Sequence, residues 1–325
     1  MNTDASTQTP AELDREAPFY VAGHRGLVGS AVWRRLHRGG FTRVFGATST
    51  ELDLQDRDAV FAYMAEKRPR YLVLAAAKVG GILANSTFPV DFLSENVRIQ
   101  TNVLDAALAN DVERVVFLGS SCIYPKHAAQ PIVEESLLTG HLEPTNDAYA
   151  IAKITGILHV QAVRRQYGLP WISAMPTNLY GPGDNFSRTG SHVLPALIRR
   201  YDEARDAGAK TVTNWGSGSP RREFLHSDDM ADAVLHLLEH YDGPEQVNVG
   251  TGVDSTIEDI ARMVADAVGF TGETEWDTSK PDGTPQKLLD VSRLTATGWK
   301  ASIDLPTGLE RTVAWFRDHK SGLRE

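Results

Sequence analysis

Short apolar runs alternate with stretches of helical periodicity from residue 19 to about residue 180. The apolar runs cover residues 19–22, 44–47, 71–77 and 115–119, and the helical stretches cover residues 30–38, 94–110 and 149–167. Runs of this length suit buried strands, and a regular strand-helix alternation is typical of βαβ units. The pattern therefore predicts an α/β fold of the Rossmann type, with a doubly wound parallel sheet.

The pattern changes after residue 180. Residues 181–185 and 215–220 are rich in Gly, Pro, Ser and Asn, and two later helical patterns surround a further apolar run at 247–249. Loop-forming composition of this kind breaks the regular alternation. We expect a smaller carboxyl-terminal lobe to follow the parallel sheet.

Composition excludes several classes of protein. A net charge of -9 disfavours a nucleic-acid surface, which needs a basic face. The sequence has no apolar run of about 18 residues, so no membrane span is expected. Residues 1–18 are polar and acidic and do not resemble a secretory signal, so we expect a disordered tail there. Cys122 is the single cysteine, which excludes an intramolecular disulfide and fits a cytoplasmic location.

Three glycines, Gly23, Gly26 and Gly29, follow the first apolar run and precede the first helical stretch. Glycines at a strand-to-helix junction permit a tight turn and a close approach of the backbone to a pyrophosphate. The spacing alone is a weak signal, since an unrelated glycine-rich turn has the same composition. Its position at the junction favours a dinucleotide site.

The residues that follow the second apolar run bear on the choice of dinucleotide. No carboxylate occurs in residues 46–49, where an acid would favour NAD, although Glu51 and Asp53 lie a little further on. Arg25 lies inside the glycine loop, where a guanidinium could bind a 2′-phosphate, or could be an ordinary solvated side chain. We expect NADP(H).

Tyr149 and Lys153 lie four residues apart in a helical stretch, so they share one helix face. A nearby ammonium would lower the pKa of the phenol and suit it to donate a proton to a carbonyl oxygen. The alternative is an ordinary surface pair on an amphipathic helix, because this spacing is common by chance.

Ser120 and Cys122 follow the fourth apolar run, at the edge where open α/β sheets bind their ligands. If the extended backbone persists, the two side chains point the same way, since alternate residues of a strand share a face. A hydroxyl and a thiol would then enter one site. The alternative is that Cys122 is a small buried apolar side chain, as free cysteines often are.

Taken together, these features make the chain resemble the extended short-chain dehydrogenase/reductases. Further strings are similar to the GDP-L-fucose synthase family within that group, and together they run from about residue 19 to residue 315. They cover residues 23–26, 75–82, 119–126, 143–146, 175–181, 215–218, 222–226 and 280–285.

That resemblance implies an NADPH-dependent enzyme that epimerises C3 and C5 of GDP-4-keto-6-deoxy-D-mannose and then reduces C4 to give GDP-L-fucose. It implies a reductase trio of Ser120, Tyr149 and Lys153, and an epimerase base and acid in Cys122 and His192. The residues it implies for the cofactor, besides the glycine loop, the trio and His192, are Leu118, Gly119, Ser121, Pro176, Thr177, Asn178 and Leu179. The residues it implies for the GDP-sugar are Arg200, Trp215, Arg222 and Asp282, and it implies no metal.

The resemblance also implies a domain division and a dimer. Residues 18–180 and 225–252 would form the NADP-binding domain, and residues 181–224 and 253–325 the substrate-binding lobe, with residues 1–17 as the tail. The helices at 94–110 and 149–167 are similar to a pair that joins two subunits, although their apolar faces could equally be core. One departure is Ser49, where the family pattern has a basic residue. A hydroxyl there can hydrogen-bond a 2′-phosphate but carries no charge, so we expect a weaker preference for NADPH.

Two other functions compete with this interpretation. A nucleotide-sugar 4-epimerase or 4,6-dehydratase of the same superfamily would share the fold and the trio, but would not need Cys122 and His192. A nonenzymatic NADP-binding regulator would have no use for Ser120, Tyr149 and Lys153 together.

Overall fold

The computed structural model describes residues 12–188, 190–280 and 282–322. Within those ranges the strands are β1 Phe19–Ala22, β2 Val44–Phe45, β3 Tyr71–Leu74, β4 Arg114–Leu118, β5 Ile172–Pro176, β6 Asn178–Tyr180, β7 Thr211–Trp215, β8 Arg221–His226, β9 Val247–Val249, β10 Asp254–Thr256, β11 Glu273–Asp277 and β12 Gln286–Lys287. The α-helices are α1 Leu27–Arg38, α2 Arg57–Lys67, α3 Ile82–Thr87, α4 Pro89–Ala109, α5 Asp147–Tyr167, α6 Val193–Asp206, α7 Ser227–His240, α8 Ile257–Val268, α9 Ser292–Ala296 and α10 Leu305–His319.

Six of these strands form a parallel sheet in the order β2-β1-β3-β4-β5-β9. The strand order reverses at β1, since β2 lies on one side of it and β3 on the other. In open α/β sheets, ligands bind at the carboxyl ends of the strands beside such a reversal. The predicted α/β Rossmann fold is confirmed, and the glycine loop that follows β1 lies at the reversal.

The two faces of the sheet carry separate hydrophobic cores, as the period of two along a strand requires. Phe19 and Val21 pack into the cluster that includes buried side chains of α1 and α7. Tyr20 and Ala22, the alternate residues of β1, pack into the cluster that includes α4 and α5. Since helices cover both faces, most residues of these strands are apolar, which explains why the strands appear in the sequence as apolar runs.

A third hydrophobic cluster lies in the carboxyl-terminal part of the chain. It contains buried side chains of α6, α8 and α10, together with Tyr180 and Phe224. The separation is incomplete, because Leu294 and Trp299 pack with the sheet on the side of α1 and α7.

Of the expected tail, residues 1–11 lie outside the described residues. Leu13 and Ala17 are buried in the cluster that lies on the α1 and α7 side of the sheet.

Several element boundaries differ from expectation, among them those of α4 and β3. Helix α4 begins at Pro89, five residues before the predicted start, because proline suits the first turn of a helix, where its missing N–H costs nothing. Strand β3 ends at Leu74 rather than at residue 77; the N–H of Ala75 still donates to the carbonyl of Ala22, after which the chain leaves the sheet.

Glu223, in β8, fixes the carboxyl-terminal segments around the sheet. Its side chain is fully buried, and one carboxylate oxygen accepts N–H groups from Thr251 at 2.6 Å and Gly252 at 2.7 Å. The other oxygen accepts the N–H of Leu289 at 3.1 Å. One carboxylate therefore joins β8 to the segment after β9 and to the segment after β12.

Candidate active site

The glycine loop has the geometry of a phosphate cradle. Gly23 has φ of +85°, and a Cβ there would stand 2.7 Å from the backbone nitrogen of Ala76. A Cβ on Gly29 would overlap the carbonyl oxygen of Gly23. Gly26 is the N-cap of α1 and has no side chain to satisfy the first N–H groups of the helix. These N–H groups remain available to an anion such as a pyrophosphate.

Arg25 is exposed beside this loop. The loop after β2 folds on itself, since Glu51 accepts hydrogen bonds from both the N–H and the hydroxyl of Thr48, each at 2.8 Å. Those two bonds, with a smaller contribution from Arg25, lower the pKa of Glu51. Glu51, the acid that follows β2, is therefore hydrogen-bonded within its own loop. Arg25 carries the positive charge beside the glycine loop.

Ser120 and Cys122 meet Tyr149 by a different route from the one expected. The alternation argument is wrong, because β4 ends at Leu118 and residues 121–123 form a 3₁₀ turn in which the Ser120 hydroxyl accepts the N–H of Cys122 at 3.3 Å. The turn nevertheless lies against the start of α5, the helix that carries Tyr149, since Asn146, the N-cap of that helix, donates from Nδ2 to the Cys122 sulfur at 3.4 Å. Before it, Gly119 lies against Met175: a Cβ there would displace the end of the Met175 side chain.

Tyr149 and Lys153 lie on one face of α5, as predicted, and the Lys153 Nζ is 5.9 Å from the centre of the Tyr149 ring. Lys153 is buried and donates to the Leu118 carbonyl at 2.8 Å; burial lowers its pKa to about 7. Burial also raises the pKa of Tyr149, Cys122 raises it further, and the Ser120 hydroxyl opposes both. The expected lowering of the Tyr149 pKa is therefore wrong for this structure, because desolvation outweighs a cation that is already bound to a carbonyl.

The thiol of Cys122 has two nitrogen donors around it. Asn146 Nδ2 lies 3.4 Å from the sulfur and Lys287 Nζ lies 3.8 Å from it. Cys122 is only partly buried, which disfavours its interpretation as a core side chain. The sequence did not single out either donor for a function, although Asn146 falls in one of the strings quoted above and Lys287 two residues beyond another.

His192 is the N-cap residue of α6 and is exposed. Desolvation by the surrounding protein lowers its pKa, and its exposure limits that effect. The imidazole therefore loses its proton at a lower pH than it ordinarily would. The preceding residue, Ser191, approaches Gly81: a Cβ at Gly81 would lie 3.1 Å from the Ser191 carbonyl oxygen. The segment that contains Gly81 therefore closes against the loop that presents His192.

The predicted cofactor residues after β5 are held by the buried Glu223. Pro176 ends β5, and the Thr177 hydroxyl and the Asn178 amide both donate to the Glu223 carbonyl oxygen, at 3.3 Å and 2.9 Å. Leu179 lies in β6 beside β8. These bonds hold residues 176–179 at the carboxyl end of the sheet. Leu118 and Ser121, which follow from the neighbouring strand β4, are buried there as well.

The four residues expected to hold the sugar nucleotide lie around one loop. Arg200 donates to Asn214 at 2.6 Å, and Trp215 follows with 70% of its surface exposed. Asp282 accepts the N–H of Ser217 at 2.9 Å and its hydroxyl at 2.7 Å, and these two bonds lower the pKa of Asp282.

Arg222 reaches the same loop, since its guanidinium is 3.0 Å from where a Cβ of Gly283 would be. Burial lowers the pKa of Arg222, and among the ion pairs of the described residues none includes it. A partly desolvated guanidinium without a carboxylate favours an anionic ligand such as a diphosphate.

The chain matches the NAD dependent epimerase/dehydratase family over residues 19–250. It is 58% identical over 315 residues to a protein of Oryza sativa subsp. japonica called "Probable GDP-L-fucose synthase 1", across 97% of this chain and 96% of that one. It is 51% identical over 314 residues to the GDP-L-fucose synthase of Escherichia coli K12, across 94% and 98% of the two chains.

The chain belongs to the GDP-L-fucose synthase family.

A solved structure agrees with this assignment. The GDP-L-fucose synthetase of Naegleria fowleri bound to NADP superposes with a TM-score of 0.90 at 29% identity, covering 98% of this chain and 99% of that one. No helix in the described part of this family member is long and apolar enough to cross a membrane. Among its described residues, no group of three or more His, Cys, Asp or Glu side chains is placed to hold a metal ion.

Proposed function

We propose that this enzyme converts GDP-4-keto-6-deoxy-D-mannose to GDP-L-fucose, by epimerising C3 and C5 and then reducing C4 with NADPH. The observation that carries the proposal is that the turn with Ser120 and Cys122 lies against the start of α5, where Asn146, three residues before Tyr149, reaches the Cys122 sulfur at 3.4 Å. A reductase needs the phenol and the hydroxyl, whereas the thiol has a use only if protons are also taken from carbon. The full-length similarity to GDP-L-fucose synthases supports the same substrate.

The cofactor site fits NADP(H). The backbone of Gly23 and Gly29 leaves no room for side chains at the cradle, and the first N–H groups of α1 are free for the pyrophosphate. Arg25, with the hydroxyls that follow β2, suits a 2′-phosphate. NADPH, when bound, supplies the hydride for C4; the strip from Leu118 to Ser121 and the strip from Pro176 to Leu179 would line it.

In the epimerase step, the C4 ketone acidifies the C–H bonds at C3 and C5. The Cys122 thiolate takes the proton, so that the C–H bond breaks, an S–H bond forms and the electron pair moves into the C4 carbonyl as an enolate. The protonated imidazole of His192 then returns a proton to the opposite face of the same carbon. Cys122 releases its proton to solvent and His192 regains one, which resets the site.

In the reductase step, the Tyr149 hydroxyl donates its proton to the C4 oxygen while Ser120 holds that oxygen. The raised pKa of Tyr149 keeps the phenol protonated and ready to donate. Lys153, tied to the Leu118 carbonyl, keeps the helix face in place and stabilises the phenolate that forms.

Arg200, Trp215, Arg222 and Asp282 would hold the GDP portion. The two guanidinium groups suit a diphosphate, the exposed indole suits a flat ring, and the carboxylate of Asp282 suits hydroxyl or guanine N–H donors. Residues 181–224 and 253–325 would act together as the substrate lobe over an NADP-binding domain of residues 18–180 and 225–252.

Incubation with the keto sugar and NADPH tests the proposal. We expect stoichiometric loss of NADPH absorbance, with GDP-L-fucose as the product identified by mass spectrometry and chromatography. A 4-epimerase would change the sugar without net NADPH oxidation, and a regulator would bind NADPH and leave the sugar unchanged. Either result would contradict the proposal.

We also propose that the enzyme is a cytoplasmic homodimer that pairs through α4 and α5. Both helices expose large apolar side chains: Leu93 is 37% exposed, Ile151 is 42% and Leu158 is 39%. A substitution such as Leu158→Asp should convert the dimer to a monomer in light scattering. A wild-type monomer at micromolar concentration would refute the assembly.

A further inference from the structure

Lys287 brings a positive charge from the carboxyl-terminal lobe to the sulfur of Cys122. Its Nζ lies 3.8 Å from Sγ, although the two residues are 165 positions apart in the chain. The lysine belongs to β12, which pairs in parallel with β8 so that Lys287 lies opposite Arg222. Its side chain therefore joins the lobe that carries the predicted substrate residues to the turn that carries the thiol.

The backbone around Lys287 is fixed to the first domain. The N–H of Leu288 donates to Gln130 Oε1 at 2.9 Å, and the N–H of Ile132 donates to the Leu288 carbonyl at 2.8 Å. One residue later, Leu289 forms an isolated bridge with Ile132 and donates to the buried Glu223. The position of the ammonium is thus set by main-chain contacts rather than by a free loop.

Lys287 also lacks a carboxylate partner among the described residues. Other lysines in the chain bind acids closely: Lys78 reaches Glu95 at 2.6 Å and Lys126 reaches Glu143 at 2.9 Å. The ion pairs of the described residues do not include Lys287, and its hydrogen-bonding partner there is the sulfur. A second donor, Asn146 Nδ2, faces the same sulfur at 3.4 Å.

We propose that Lys287 is a positioning residue for the epimerase step, whose ammonium holds Cys122 as the thiolate. A cation beside a thiol favours its ionised form, and the amide of Asn146 adds a second N–H toward the sulfur. Lys287 transfers no proton: the C–H bond at C3 or C5 breaks and the S–H bond forms on Cys122, while Lys287 offsets the negative charge before that transfer. The proposal rests on the proposed role of Cys122 as base.

The base of this enzyme is accordingly assembled from both lobes. The thiol belongs to the turn after β4, whereas the charge that ionises it arrives with β12, beside the residues expected to bind the sugar nucleotide. Proton abstraction is therefore tied to correct docking of the carboxyl-terminal lobe.

Alkylation tests the ion pair independently of catalysis, because Cys122 is the only cysteine in the chain. The rate of iodoacetamide modification is measured against pH for wild type, Lys287→Met and Lys287→Arg, with Lys300→Met as a matched control at an exposed lysine elsewhere on the lobe. We expect Lys287→Met to slow alkylation about tenfold at neutral pH and to move the half-maximal rate upward by about one pH unit. Lys287→Arg should restore the profile, and an unchanged profile in Lys287→Met would overturn the proposal.

Deuterium uptake at C3 and C5 in heavy water then tests the catalytic consequence. Lys287→Met should lower the maximal rate of uptake about tenfold and change the KM less, while thermal unfolding stays close to that of Lys300→Met. If alkylation shifts but uptake does not, the charge contact stands and Cys122 is not the base, which would refute that part of the proposed function. If neither changes, the role of Lys287 itself is refuted.

Discussion

Lys153 donates a hydrogen bond from Nζ to the carbonyl oxygen of Leu118 at 2.8 Å, and so ties α5 to the last residue of β4. The bond fixes the helix one turn after Tyr149 to the strand that leads into Ser120. It also leaves a buried ammonium with no carboxylate to balance it, since none of the ion pairs in the described part of the chain includes Lys153. Burial without a balancing carboxylate therefore lowers the pKa of Lys153.

The first prediction concerns the pH dependence of reduction. Burial lowers the pKa of Lys153 to about 7, so its charge is present below that pH and is lost as the pH rises through it. Because the cation stabilises the phenolate that forms on Tyr149, kcat/KM for NADPH oxidation should fall above pH 7. Lys153→Arg, whose guanidinium stays charged, should move that fall to higher pH. A profile that is identical in both enzymes would contradict this role.

A second prediction isolates the proton donor. Tyr149→Phe deletes one hydroxyl and should lower the rate of NADPH oxidation about 10²–10⁴-fold, the usual contribution of a general acid. Fluorescence titration should show unchanged NADPH binding, because the ring and its packing against Phe92 remain. Near-normal turnover by the variant would exclude Tyr149 as the donor.

Local sequence patterns predicted the parts of the site that depend on neighbours in the chain. The glycine loop depends on the junction of β1 and α1, and the shared face of Tyr149 and Lys153 depends only on helical periodicity, so both follow from spacing. The turn at Ser120 was not predictable in this way, because the point at which β4 ends is set by the sheet rather than by the sequence of the turn.

The remaining features of the site depend on contacts between distant parts of the chain. The approach of Lys287 to Cys122 and the three N–H groups that Glu223 accepts result from contacts between segments distant in the chain, which no local periodicity encodes. The raised pKa of Tyr149 was missed for a similar reason. Spacing shows which charge is near the phenol, but only the fold shows how much water has been removed from it.

The third prediction tests cofactor choice. Arg25→Ala should raise the KM for NADPH more than the KM for NADH, because the guanidinium is expected to bind only the 2′-phosphate. Arg38→Ala, at an exposed arginine in the last turn of α1, is the matched control and should change neither constant. Equal effects of Arg25→Ala on both cofactors would remove the assignment. A modest NADPH preference in the wild type would follow from Ser49, which adds a hydroxyl without a charge.

A fourth prediction concerns stability. Glu223→Ala removes the acceptor that the N–H groups of Thr251, Gly252 and Leu289 share and leaves a cavity at a fully buried position, so the free energy of unfolding should fall by about 3 kcal/mol. Urea denaturation followed by circular dichroism measures the change. Glu310→Ala, at an exposed acid on α10, should have little effect. A loss no larger than that of the control would show that the buried carboxylate is not needed to hold these segments.

The last prediction separates the two chemistries of the site. Cys122→Ser places a far weaker base at the same position, so deuterium uptake at C3 and C5 in heavy water should be lost while Tyr149, Ser120 and the machinery for hydride transfer remain. Tyr149→Phe should show the reverse, with deuterium exchange retained and NADPH oxidation lost. Mass spectrometry of the recovered sugar nucleotide measures the uptake, and absorbance measures the NADPH.

His192, the proposed acid of the epimerase step, should make the deuterium uptake depend on pH. Desolvation lowers the pKa of His192, so the imidazole loses its proton at a lower pH than it ordinarily would, and deuterium uptake catalysed by the wild type should decline as the pH rises through the acidic range. His192→Asn should lose most of the uptake and with it that decline. Undiminished uptake by Cys122→Ser would show that the thiol is a bystander and that another group beside Tyr149 removes the protons.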